Sequence, residues 1–299
     1  MNTQKYTIVS DGSCDLPPEL VEKHGLVIVP FYVSFDDRNY KKEMVDIAVR
    51  DFYQQMVDRK GVYPKSSMPS VQDYVDAFLP IVKRGEAIIC ICITEKFSGS
   101  LQSATNAKAM ILEEYPDARI AVINSTVNTV LQGIYVLEAV KLRDEGTDFE
   151  EAVKRLEEIK SSGRIFFTVG DFEYLKHGGR IGKVAGAAVS VLGIKPLITL
   201  KEGEIFASGI TRSRRKSMDM ICNMLINYIK ENGGNADGFH ICVGYGYDIE
   251  ESGIFKEKVM QELKKAGMEI KELITYQIGA TIAVHTGPYP LGVGVIRHA

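Results

Sequence analysis

The run Ala87–Ile93 (AIICICI) constrains the fold of this chain more than any other segment. An unbroken apolar run marks a strand buried on both faces, as in a parallel sheet. Parallel strands need crossover connections, and the neighbouring sequence supplies them. Tyr6–Ser10, Leu26–Phe35 and Arg119–Asn124 read as further strands. A helix opens at Pro17-Pro18, where proline suits a first turn, and Val45–Val57 carries apolar residues near helical spacing. Ser70 and Asp73 resemble a capping box, with Asp in place of Glu or Gln, that starts a helix over Val71–Lys83. A long helix follows Ser98-Gly99-Ser100 to about Tyr115, and Leu131–Leu142 and Phe149–Ile159 are helical patterns. The alternation predicts an N-terminal α/β unit with a parallel sheet.

The second half has another texture. Arg164–Val169 is a predicted strand, and Pro196–Leu200 with Glu204–Ile210 forms a hairpin around Lys201-Glu202-Gly203. A helix covers about Ser213–Lys230 and another about Ile254–Ala266, with strands at His240–Tyr245, Ile270–Tyr276 and Leu291–Ile296. With 299 residues and ~150 residues per domain, two domains are expected. Their boundary is placed near Ser161–Gly163, giving units 1–162 and 163–299.

The longest apolar stretch, Val184–Ile194, is interrupted by Gly and Ser, whereas a spanning helix needs about 20 apolar residues. No transmembrane segment is therefore expected, and MNTQKYTIVSDGS lacks the apolar core of a signal peptide. A cytoplasmic address follows as the expectation. Lys+Arg total 36 against 39 Asp+Glu, a net charge of −3, which argues against a broad nucleic-acid surface. The five cysteines are an odd number without a secretory signal, so no disulfide framework is expected. Cys90 and Cys92 share one face of a strand, but no second Cys/His pair at ligand spacing follows them. They read as small buried hydrophobes, and no metal site is expected.

The junction Thr94–Ser100 lies where ligands bind in open parallel sheets, at the carboxyl end of a strand. A helix starting there offers unpaired N–H groups to an anion. Ser98 would cap it, and Gly99 would let a ligand approach the backbone. Ser66-Ser67 occupies a second such junction, so two hydroxyls could meet one anionic head group. The competing reading is that serines gather at turns for local hydrogen bonds. His285, in AVHTGPYPLG, follows an apolar run read as a strand, and could donate a hydrogen bond to a carboxylate or phosphate. With Ser98 and Asp11 it could imitate a hydrolase triad, although no GxSxG elbow surrounds either serine. Two basic clusters remain, Lys176–Lys183 (KHGGRIGK) and Thr211–Lys216 (TRSRRK). Neither is a phosphate-loop motif, and each reads as a solvated face unless both share one surface.

Six segments together resemble the DegV family over about residues 6–297. They are IVSDGSCDLP, SSMPSVQDYVDAF, ITEKFSGSLQSA, FEYLKHGGRIGKVAG, IKPLITLKEGEI and IGATIAVHTGPYPLGVG. The resemblance implies a two-domain α/β protein with an N-terminal parallel sheet and a C-terminal mixed or antiparallel sheet. It implies a long-chain fatty acid, such as palmitate or oleate, held between the domains with its tail in an apolar tunnel. Ser66, Ser98 and His285 match the family's head-group positions, with Gly99 as supporting backbone. Such a protein is not itself an enzyme and needs no further cofactor; in some bacteria it presents the fatty acid to a separate kinase. Arg180 and Arg212 match candidate docking residues for that partner. Rival readings are a phosphotransfer or hydrolase enzyme using Ser98 or His285, and a lipid-sensing regulator. The chain departs from the family pattern at Met68, Asn124, Ala280 and Tyr289. Tyr289 is expected to narrow or reshape the pocket mouth.

Overall fold

The computed structural model describes residues 6–170, 172–184, 194–270 and 272–299. Residues 185–193 of the small-residue stretch lie outside them.

In chain order, the first elements are β1 (Tyr6–Asp11), α1 (Pro18–Lys23), β2 (Val27–Val29) and β3 (Tyr32–Ser34). Next come β4 (Lys41–Lys42), α2 (Val49–Asp58), β5 (Lys65–Ser67) and α3 (Val71–Lys83). Then follow β6 (Ala87–Cys92), α4 (Ser100–Glu114), β7 (Ile120–Asn124), α5 (Thr129–Asp144) and α6 (Phe149–Ile159). The later elements are β8 (Arg164–Thr168), α7 (Glu173–His177), β9 (Lys195–Lys201), β10 (Glu204–Thr211) and α8 (Arg214–Glu231). Last are β11 (Phe239–Tyr245), α9 (Ile249–Lys265), β12 (Ile274–Gln277), α10 (Ala280–Thr286) and β13 (Leu291–Arg297).

Strands β2-β1-β6-β7 form a parallel sheet, in that order. Every residue of β6 is buried, as its unbroken apolar sequence requires. The capping box at Ser70 forms: its Oγ accepts the Asp73 N–H, and its own N–H donates to Asp73 Oδ2 at 2.8 Å. Aspartate therefore reaches back far enough to replace the usual glutamate.

The second sheet is mixed, in the order β10-β9-β8-β13-β11-β12. All its pairs are antiparallel except β11 with β12. The β9–β10 hairpin turns at Glu202 and Gly203, with φ of 52° and 82°. Two positive φ values are what a type I′ turn needs.

Two segments differ from the sequence expectation. Leu26–Phe35 is not one strand but two, interrupted at Pro30. Proline supplies no ladder N–H, and past it β3 pairs with β4 and β5 in a separate antiparallel sheet. The apolar run before His285 is helix α10, not a strand, so His285 sits in a last helical turn. A short apolar run carries no periodicity that separates the two structures.

Helix α5 packs against β1 of the parallel sheet and against β11 and β13 of the mixed one. Its apolar residues face both ways, the pattern of a helix enclosed on all sides. Its N-terminal turn is left facing the space where the candidate site lies.

Candidate functional site

The site is built on the carboxyl end of the parallel sheet. Asp11, at the end of β1 and fully buried, holds the β6–α4 junction in place. Its Oδ2 accepts the Ile93 N–H at 2.9 Å and the Ser100 hydroxyl at 2.7 Å. Its Oδ1 accepts Gln132 Nε2 at 2.8 Å and the Ser13 hydroxyl at 2.9 Å. Burial raises the Asp11 pKa, and these four donors oppose the shift.

Just beyond this anchor, Ser98 Oγ accepts the Ser100 N–H at 3.2 Å. The N-cap position itself belongs to Gly99 rather than Ser98. A Cβ on Gly99 would lie 2.7 Å from Met68 Sδ. Gly99 thus admits the Met68 side chain beside it, and Gly99 itself lines the cavity.

Ser66 reaches the same place from elsewhere. It lies on β5 in the small antiparallel sheet, so the two serines do not belong to one sheet. Its Oγ is 3.1 Å from His285 Nε2, a contact between residues 219 positions apart. His285 is half-buried, with Nδ1 sealed from solvent against the Gly178 backbone. A Cβ on Gly178 would fall 2.2 Å from that Nδ1, so glycine is the residue that fits there. Burial first, then repulsion from the Arg180 and Lys65 cations, push the His285 pKa down to about 4. The ring is neutral at pH 7. Arg180 completes the rim: Nε and Nη2 donate to the Phe97 carbonyl at 3.1 and 3.0 Å, and Nη1 to the Gly178 carbonyl at 2.9 Å.

These contacts form one continuous polar rim, running Ser66, His285, Gly178, Arg180, Phe97 and Ser98. The rim opens on a cavity with about 1110 Å³ of space free of protein atoms, its mouth included. The other walls are mainly apolar. Val130 and Leu131 come from α5, Ile165 and Phe167 from β8, Leu200 from β9, Cys242 from β11, and Ile278 and Ile282 from around α10. An apolar cavity with a few convergent polar groups is the usual form of a small-molecule site.

The arrangement gives no nucleophile–base–acid triad. His285 meets Ser66, whereas Asp11 is saturated by other donors and makes no contact with the histidine. Cys242, though in the cavity wall, is a thiol whose pKa burial pushes up to about 12, and so is inert. Arg212 is exposed in the turn between β10 and α8 and does not line the cavity. Tyr289, expected at the mouth, also lies outside the lining; its ring packs edge-on against Tyr247 with centroids 6.3 Å apart. Its carbonyl accepts Arg214 Nη2 at 2.9 Å.

Other features near the cavity have no local sequence signal. Thr129, at the start of α5, has φ of 50°, unusual for a β-branched residue. Its hydroxyl donates to Asp15 Oδ2 at 2.5 Å. Asp15 and Glu43 approach each other across Gly279, where no side chain could fit. Burial raises both carboxyls, Glu43 to about 7, and the Glu43 charge raises Asp15 further.

Residues 5–298 match the family described as "Uncharacterised protein, DegV family". This chain belongs to the DegV family. A DegV domain-containing protein of Clostridium perfringens is 30% identical over 297 residues, covering 98% of this chain and 99% of its own. The crystal structure of a stearic-acid-binding protein from Eubacterium ventriosum is 46% identical, with a TM-score of 0.93 and 98% of both chains covered. A fatty-acid-binding DegV protein of Thermus thermophilus is 28% identical, with a TM-score of 0.86, covering 98% of this chain and 99% of that one. The parallel and mixed sheets are those of the two-domain DegV fold. Among the described residues, no helix is long and apolar enough to cross a membrane.

Proposed function

We propose that this DegV protein binds a long-chain fatty acid, with the carboxylate at Ser66, Ser98 and His285 and the tail among the apolar walls. The observation that carries this reading is the cavity's division into one polar rim and otherwise mainly apolar walls. A tail of about 15 CH₂/CH₃ groups at ~0.8 kcal/mol each gains on the order of 10 kcal/mol before the costs of binding. The carboxylate needs hydrogen-bond donors to leave water. Two hydroxyls and a neutral imidazole answer that need. A binding role fits this geometry better than hydrolysis or phosphotransfer, because neither serine sits in a complete triad.

Native mass spectrometry of the purified protein, followed by solvent extraction, tests the reading. One non-covalent fatty acid per chain is the expected result. A protein that is empty and refuses palmitate, stearate and oleate would refute it.

Presentation of the acyl chain to a fatty acid kinase in the cytoplasm is the finer part of this proposal, with Arg180 and Arg212 as contact residues and the division of the chain at 162/163. Arg180→Ala should retain lipid and lower acyl-phosphate formation by a cognate kinase. Loss of lipid in that variant would place Arg180 in head-group binding instead.

A further inference from the structure

A cluster of metal-ligating side chains lies apart from the cavity rim. Glu138 on α5, His240 on β11 and His298 just after β13 place one carboxylate oxygen and two ring nitrogens within 4.8 Å of one another. Glu138 is buried, His240 half-buried and His298 exposed. Glu138 Oε1 already accepts the Ala299 N–H at 2.9 Å and Lys141 Nζ at 3.2 Å. Those partners fix the carboxylate and leave Oε2 to point at the histidines. Oε2 lies 2.6 Å from His240 Nε2, and His298 Nδ1 lies 2.9 Å from the same nitrogen.

This convergence is short of protons. His240 Nε2 carries at most one hydrogen, which cannot satisfy Glu138 and His298 together in good geometry. If Nε2–H donates to Glu138, the His298 nitrogen is left to share that hydrogen. If Nε2 instead accepts from His298, its lone pair is used and it faces the carboxylate bare. A cation at the convergence point removes the conflict, because it accepts an electron pair from all three atoms at once.

We propose that Glu138, His240 and His298 form a binding site for a divalent transition metal of the zinc class. Two imidazoles and one carboxylate suit Zn²⁺ and its neighbours, whereas Mg²⁺ and Ca²⁺ prefer all-oxygen sets. Zinc bonds of about 2.0–2.2 Å in tetrahedral geometry put ligand atoms about 3.3 Å apart. The His240–His298 contact needs to open by about 0.4 Å, which exposed His298 can supply, and the Glu138–His240 contact by about 0.7 Å, which requires the half-buried His240 ring to shift. A fourth position would take water. The bound ion would tie α5 to β11 and to the segment after β13. The same helix and strand also supply Val130, Leu131, Cys242 and Gly244 to the cavity wall. The ligands are 102 and 58 residues apart in sequence, so no motif spacing announces them.

The test uses the full, untagged chain, dialysed against EDTA and titrated with ZnCl₂ by calorimetry, with MgCl₂ as the control. One equivalent of Zn²⁺ should bind and raise the Tm, with no effect from Mg²⁺. His298→Ala, at an exposed position, and the volume-conserving His240→Gln should each weaken Zn²⁺ binding by about tenfold or more. Absence of Zn²⁺ binding, an equal response to Mg²⁺, or wild-type affinity in both variants would overturn the proposal.

Discussion

Asp11 and His285 stand close to one cavity, yet their surroundings are opposite in kind. The Asp11 carboxylate is fully buried and receives four hydrogen bonds, two on each oxygen. Nothing of it is left to bind a ligand. His285 meets only a serine hydroxyl on its cavity side, through Nε2, and its Nδ1 is sealed against the Gly178 backbone. Ser66 and Ser98 likewise face the cavity with capacity to spare. Buried polar groups are normally satisfied, so the saturated group reads as scaffold and the unsaturated rim as binding surface. A fatty carboxylate would meet the Ser66 and Ser98 hydroxyls and the Nε2 edge of His285, while Nδ1 stays sealed against Gly178.

The largest expected effect comes from breaking the scaffold side of this contrast. Asp11→Ala strips the acceptor from four donors and should cost the lipid-free protein about 4 kcal/mol in urea unfolding. A loss below about 1 kcal/mol would show that the network is not structural.

His285 gives the next effect, and it depends on pH. Its folded pKa of about 4 lies below the ordinary value of about 6.5. Below pH 6.5 the unfolded chain takes up this proton and the folded chain does not. Folding is therefore weakened as pH falls from about 6.5 to about 4, by on the order of 3 kcal/mol in full. Glu43 has the opposite sign, because its pKa is raised to about 7. Its contribution to stability is complete below the unfolded value of about 4.5 and is lost as pH rises toward 7. The clean observable is consequently the difference between wild type and His285→Gln, which should close as pH falls from 7 to 4. A pH-independent difference would contradict a neutral His285. Bound fatty acid should raise the histidine pKa, since a nearby anion favours the charged ring.

Ser98→Ala sharpens the binding side. It removes one hydrogen bond to a charged group, worth about 1.5–3 kcal/mol, or roughly ten- to a hundredfold in affinity. The lipid-free protein should lose under about 1 kcal/mol, the worth of the one hydrogen bond Ser98 Oγ accepts from the Ser100 N–H. Unchanged palmitate affinity by titration calorimetry would remove Ser98 from the site.

Much of this contrast was visible in the sequence, and its limits have a physical pattern. The apolar run of β6, the Ser70–Asp73 capping box and the β9–β10 hairpin are local, and each formed where its residues indicated. Ser98 stood out because a strand-to-helix junction is also a local feature. What escaped depends on distant contacts. The Ser66–His285 approach, implied by the family resemblance but by no local pattern, joins residues 219 apart, and the Asp15–Glu43 pair meets around Gly279 at the start of α10. Pro30 divided one expected strand, and Gly279 and Gly287 flank an apolar run that became a helix. The position of Tyr289 off the cavity was likewise set by its packing on Tyr247, which no spacing in the sequence encodes.

A crystal structure of the protein with bound palmitate tests the central claim most directly. The account predicts the carboxylate within hydrogen-bond distance of Ser66 Oγ and Ser98 Oγ, beside His285, with the tail along Leu131, Ile165 and Ile278. A carboxylate at the apolar end, or a lipid held outside this cavity, would contradict it.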